Sequence, residues 1–171
     1  MNSRSILSRM GIPRAYQHCT FEAFKLPAAP DISGLVEQIK AAAEAQKWII
    51  LASPTTGIGK THLACAALAR AWWVNRQKGE ASYRFHSVRR LGLDLDMAGV
   101  GLSEVLDKVL TDEDFGGTLH SVLFDELGRE PERARQKMEC IIDECHQKNV
   151  QLIATSNLSS ADFRELYDPP I

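Results

Sequence analysis

Three short groups of residues in this chain have the types and spacing to handle a phosphorylated substrate. The first is Thr56-Gly57-Ile58-Gly59-Lys60-Thr61-His62, which follows the apolar run Trp48 to Ala52 and precedes a long apolar helical pattern. Glycines let backbone N–H groups turn onto an anion, and a helix N-terminus adds the positive end of its dipole. A lysine in that position reaches the β- and γ-phosphates, and the Thr61 hydroxyl completes a Mg²⁺ shell. Strand, glycine loop, lysine, hydroxyl and helix in that order form a P-loop. Pro54 stands where the usual spacing has the first glycine. It has no N–H to offer a phosphate, but the donors from Gly57 to Thr61 remain.

The second group is Asp125-Glu126, at the end of the apolar run Ser121 to Phe124, and the third is Asn157, after Gln151 to Thr155. Phosphoryl transfer needs neutralised charge and a positioned nucleophile more than covalent help. Asp125 suits the Mg²⁺ that Thr61 also touches. Glu126 suits the orientation of a water aimed at the γ-phosphate, which favours hydrolysis over transfer to a bound acceptor. Asn157 suits a hydrogen bond to that water or phosphate. Taken singly, the acids also read as solvated loop caps and the asparagine as a turn former.

Residues 1–30 are expected to form a lead-in and residues 31–171 an ATP-binding core that carries these groups. Phe21 and Phe24 in the lead-in suit either core packing or a wall for an adenine ring. Helices are expected over 33–46, from Lys60 to about Lys78, from Ser103, and from Glu130-Pro131 to Asn149, with a last one starting near Ser159 or Ser160. Ser82 to Val88 alternates, with Tyr83 and Phe85 on one face and Arg84 and His86 on the other, the pattern of an edge strand. Residues 91–102 mix leucines, aspartates and three glycines, so strand, loop and broken helix stay open there. Strands alternating with helices make a parallel sheet whose ligands gather at the strands' C-terminal edge. Gly57, Asp125 and Asn157 all fall at that edge.

The bulk properties suit this picture. The chain has 171 residues and a net charge of −2 with both signs mixed, so it suits one domain without a global pull toward nucleic acid. DNA contact would need a local strip, and Arg84, Arg89 and Arg90 with Tyr83, Phe85 and His86 interleaved are the candidates. The sequence has no run apolar enough to span a bilayer and opens on no secretory pattern, so a cytoplasmic protein with reduced cysteines is expected. Cys140, Cys145 and His146 do not share a helix face and lack a second ligand pair, so zinc is not expected there. Asp94 and Asp96 carry at most a weak metal signal.

Gly59-Lys60-Thr61-His62-Leu63-Ala64, Leu123-Phe124-Asp125-Glu126-Leu127-Gly128 and Thr155-Ser156-Asn157-Leu158 resemble the Walker A, Walker B and sensor-1 segments of the DnaC/IstB-like branch of AAA+ ATPases. Gly11-Ile12-Pro13-Arg14 and Thr20 to Phe24 are similar to the segment that opens that branch's ATPase domain. The resemblance runs from about Met10 to Leu166. It implies an α/β three-layer P-loop NTPase core of the AAA+/ASCE class with strand order 5-1-4-3-2. It also implies ATP and Mg²⁺ as ligands, self-assembly through the ATP site, single-stranded DNA, and a replicative helicase as partner. The implied role is a DnaC-like helicase loader; an IstB-like transposase-assisting ATPase and a non-hydrolysing nucleotide-binding module are the alternatives. The family's fifth strand, arginine finger and sensor-2 region are expected past Ile171, and its loaders' helicase-recruiting domain is not expected before residue 10. Hydrolysis by this chain alone is therefore expected to be slow.

Overall fold

A computed structural model of the chain describes residues 3–25, 32–76, 82–96, 101–111, 117 and 119–167. Four parallel strands form one sheet: β1 (Ile49–Ala52), β2 (Tyr83–Ser87), β3 (Ser121–Asp125) and β4 (Gln151–Ser156), in the order β1-β4-β3-β2. This is the 1-4-3-2 portion of the expected order. The fifth strand is not among the described residues. Register is continuous across the middle of the sheet, with Leu123 beside Ile153 and Phe85, and Ile49 beside Ile153.

Strand residues alternate between two apolar layers, as a period of two requires. Val122, Phe124, Leu152 and Ala154 face α4 (Val88–Asp96), α5 (Leu102–Leu110), α6 (Glu132–Gln147) and α7 (Ser160–Tyr167). Leu123, Ile153, Ile49, Tyr83 and Phe85 face α2 (Ile32–Glu44), α3 (Lys60–Asn75) and the lead-in. The central strands β3 and β4 are buried along their whole length. They are therefore near-continuous apolar runs, each fully buried leucine, isoleucine or phenylalanine contributing about 1.5–3 kcal/mol. β2 is an edge strand, as its alternation predicts, and the lead-in covers part of it: Phe85 N–H donates to the Met10 carbonyl at 2.7 Å.

The lead-in is not a loose arm. After α1 (Ser3–Arg9), Met10, Ile12 and Cys19 are buried in the α2–α3 layer, and a 3₁₀ turn over Arg14–Tyr16 brings Tyr16 toward the strand ends. Pro27, Pro30, Asp31, Lys78 and Gly116 lie outside the described residues.

The open reading of 91–102 resolves, as far as 96, into a helix. α4 begins at Val88, directly after β2, and buries Val88, Leu91, Gly92 and Leu95. Gly92 looks like a breaker in sequence, but its missing side chain is a packing requirement. A Cβ there would sit 2.7 Å from Pro131 Cδ and 3.1 Å from Glu130 Cα, where α6 begins. Asp94 and Asp96 are exposed on this helix. Arg89 and Arg90 accordingly occupy the first turn of α4 and do not continue a basic strand beyond Arg84.

Candidate functional site: a phosphate loop facing two acids

The loop after β1 is shaped by its glycines. Gly57 and Gly59 have φ of 75° and 90°, a left-handed backbone that favours glycine, and Gly59 is the N-cap of α3. Pro54 is exposed before this turn. The Lys60 ammonium folds over the loop and donates to the carbonyls of Ser53 (2.9 Å) and Thr55 (2.7 Å). Desolvation lowers its pKa from the usual lysine value, with the opposing charge of Glu126 acting the other way. Ser53 N–H in turn donates to the Ser156 carbonyl at 3.2 Å, tying the loop to the end of β4.

Asp125 is the last residue of β3 and is 8% exposed. Its Oδ1 accepts two hydroxyl hydrogen bonds, from Thr61 at 2.8 Å and from Thr155 at 2.7 Å. Thr155 also accepts from Glu126 N–H at 2.9 Å, while Leu127 N–H donates to the Thr155 carbonyl at 2.8 Å. These bonds hold Glu126 at φ 64°, a left-handed conformation that costs a non-glycine residue about 1–3 kcal/mol. The strain turns the Glu126 carboxylate toward the same space as Lys60. A cleft of about 310 Å³ is lined there by Tyr16, Thr56, Gly57, Gly59, Lys60, Thr61, His62, Glu126, Thr155 and Asn157.

Most of the residues selected for nucleotide chemistry thus line one cleft, and the buried Asp125 stands outside the lining, reached through Thr61 and Thr155. Ile58 is the exception in the loop, 43% exposed and outside the lining. Phe21 and Phe24 pack on the α2–α3 layer. The Phe24 ring lies against Gly59, where a Cβ would come within 2.4 Å of it, and 5.3 Å from the His62 ring. Two participants went unread in the sequence. Thr155 is the last residue of the expected strand Gln151 to Thr155 and carries no assigned role in the sequence, though a hydroxyl in a buried strand beside the Asp125 strand needs a partner. Tyr16 reaches the cleft only through the folding of the lead-in.

The oxygen donors of Thr61 and Asp125, already in contact, form the hard-ligand set that suits Mg²⁺. Cys140, Cys145 and His146 do not form a comparable group, and His146 lies edge-on to Trp48.

The proposed DNA strip is not assembled as the alternation suggested. Tyr83 and Phe85 are 4% and 8% exposed in the core, so neither presents a ring to a base. His86 stacks on Phe124, and burial lowers its pKa to about 4, opposed by its hydrogen bond with the Val109 carbonyl. Arg84 and Arg90 do meet, lining a second cleft of about 400 Å³ with Lys108 and Asp94, and Arg89 is exposed outside it. Among the described residues, no helix is long and apolar enough to cross a membrane.

No protein-family model matches the chain, and no curated protein matches its sequence. Solved structures match its fold. A protein from Streptococcus pyogenes serotype M3 described as a primosome component superposes with a TM-score of 0.68 at 19% identity, over 96% of this chain and 85% of that one. DnaI superposes with a TM-score of 0.64 at 19% identity, over 91% and 81%. Domain III of the replication initiation protein DnaA from Thermotoga maritima gives 0.63 at 18% identity, over 85% and 57%. Other matching DnaA structures hold AMPPCP, one of them with single-stranded DNA as well. At these identities the likeness is one of fold. The chain has the P-loop AAA+ ATPase fold shared by these replication proteins, which agrees with the DnaC/IstB-like resemblance of its motifs.

Proposed function

We propose that this chain binds ATP with Mg²⁺ and hydrolyses it, and that it acts in DNA replication as a helicase loader of the DnaC-like kind. The observation that carries the proposal is the Thr61–Asp125–Thr155 hydrogen-bond network beside the lysine-capped glycine loop. Lys60 exchanges its loop carbonyl partners for phosphate oxygens. Backbone N–H groups from Gly57 to Thr61, with Thr56 and His62 at either end, cradle the anion. Thr61 and Asp125 would hold Mg²⁺, which would supply charge neutralisation to the bound phosphates. Glu126 accepts a proton from the attacking water and orients it, and Asn157 hydrogen-bonds the water or the γ-phosphate.

The helicase-loader role rests on the fold neighbours, a described primosome component and DnaI among them, together with the motif resemblance. Single-stranded DNA is a proposed partner, with Arg84 and Arg90 the residues to test and Arg89 beside them. ATP-dependent self-assembly would place a neighbouring protomer against the cleft and raise the rate. A transposase-assisting role uses the same site, and pull-down of a helicase or a transposase by the ATP-bound chain separates the two. For the site itself, Lys60→Ala abolishes ATP binding in this account. Equal ATP affinity for that variant and the wild type would refute it.

A further inference from the structure

One cluster, which shares only His62 with the proposed ATP site, has the composition of a metal centre. His18, Cys19 and His62 each bring one potential ligand atom to within 4.8 Å of the others. His18 is exposed, Cys19 is buried and His62 is half-buried, so the group has a deep thiol and an open mouth. The two histidine rings meet edge to face, with centroids 6.1 Å apart. A tetrahedral centre with bonds of about 2.0–2.3 Å brings ligand atoms to roughly 3.3–3.7 Å of one another, so closure needs side-chain movements of about 1 Å. The lead-in supplies two of the ligands and the first turn of α3 the third.

The surroundings fit ligands already half-oriented. His62 Nε2 lies 2.8 Å from the Thr20 carbonyl, the kind of outer partner that fixes the ring orientation of metal-bound histidines. Cys19 N–H donates to the Tyr16 carbonyl at 3.0 Å, which anchors the backbone that carries the thiol. Two imidazoles and one thiolate form a borderline-soft set that selects a zinc-class ion and disfavours Mg²⁺.

We propose that His18, Cys19 and His62 bind a divalent transition metal of the zinc class, with water in the fourth position. The bound ion clamps the lead-in to the start of α3. This centre is distinct from the Thr61–Asp125 pair and does not depend on ATP turnover. Its position does connect it to the cleft, since Tyr16 lines that cleft two residues before His18, and His62 follows Thr61 directly.

The test is an anaerobic Co²⁺ titration of the reduced 171-residue chain without nucleotide, followed by Zn²⁺ competition. The expected result is saturation at about one equivalent, with a thiolate-to-cobalt charge-transfer band in the near ultraviolet that Zn²⁺ abolishes. Cys19→Ser removes the band, and Cys140→Ser, which alters a thiol outside the cluster, keeps it. Because Cys19 is buried, His18→Ala at an exposed position provides a second variant that leaves the core intact; Co²⁺ affinity falls by about tenfold or more there. Absence of the band in the wild type, or an unchanged affinity in His18→Ala, would overturn the proposal. Either result leaves the ATP site untouched, since Lys60→Ala tests that site alone.

Discussion

Thr155 shows how much of the cleft depends on one hydroxyl. It donates to Asp125 and accepts from Glu126 N–H, so Thr155→Val leaves a carboxylate oxygen with one partner fewer and a half-buried N–H without its partner. Loss of such partners costs about 1–3 kcal/mol, which chemical denaturation would register as a lowered midpoint. The same change frees Glu126 from its left-handed conformation, so hydrolysis falls more than ATP binding does; retained turnover in Thr155→Val would separate Glu126 positioning from this network. Glu126→Gln keeps the shape and removes the base, and turnover drops by about 10²-fold or more while ATP still binds. At this scale type and spacing singled out Lys60, Thr61, Asp125, Glu126 and Asn157, and the fold brings all five to the same end of the sheet. Tyr16 and Thr155 were not singled out, because their places at the cleft depend on contacts with residues 29 or more positions away in the chain.

Among the elements, α4 was hardest to read for a physical reason. Leu91, Gly92 and Leu95 form its buried side, but glycine lowers helix propensity, and the alternating Leu-Asp pattern imitates a strand. Tertiary packing decides in favour of the helix, because Gly92 lets α4 approach the start of α6. Gly92→Ala makes the two effects compete. Helix propensity favours alanine by about 1 kcal/mol. Overpacking against the Glu130 backbone, which cannot swing aside, costs about 1–3 kcal/mol. The variant is therefore expected to be less stable in urea denaturation, and a gain in stability would mean that α4 and α6 are farther apart than described. The basic strip was only partly legible for a related reason: its aromatic members Tyr83 and Phe85 are buried, while Arg84 and Arg90 line one cleft. Alternation separated Arg84 from Tyr83 correctly, but the chain turns into a helix at Val88, and that break carries no proline or glycine signal.

Across the whole molecule, the parallel sheet was legible because β3 and β4 are short apolar runs between helical patterns, whereas the strand order came only from the resemblance of the motifs to the DnaC/IstB-like branch. How tightly the lead-in joins the core was not legible, since Met10, Ile12 and Cys19 are isolated apolar residues without periodicity. The fold also makes stability pH-dependent through His86. Its folded pKa of about 4 lies below the ordinary histidine value of 6.5, with Arg84 and Lys108 adding to the effect of burial. The stability this neutral ring contributes is present above pH 6.5 and is lost as pH falls toward 4. The urea midpoint of the wild type should therefore drop more between pH 7 and pH 4.5 than that of His86→Gln; parallel losses would show that the ring does not titrate as described.

The central claim is that one cleft binds and hydrolyses ATP, and steady-state hydrolysis measured beside equilibrium Mg·ATP binding tests it most directly. For the wild type, Lys60→Ala and Glu126→Gln, the account predicts turnover with binding, neither, and binding with turnover lost. Wild-type turnover that survives in Glu126→Gln, or ATP binding that survives undiminished in Lys60→Ala, would contradict it.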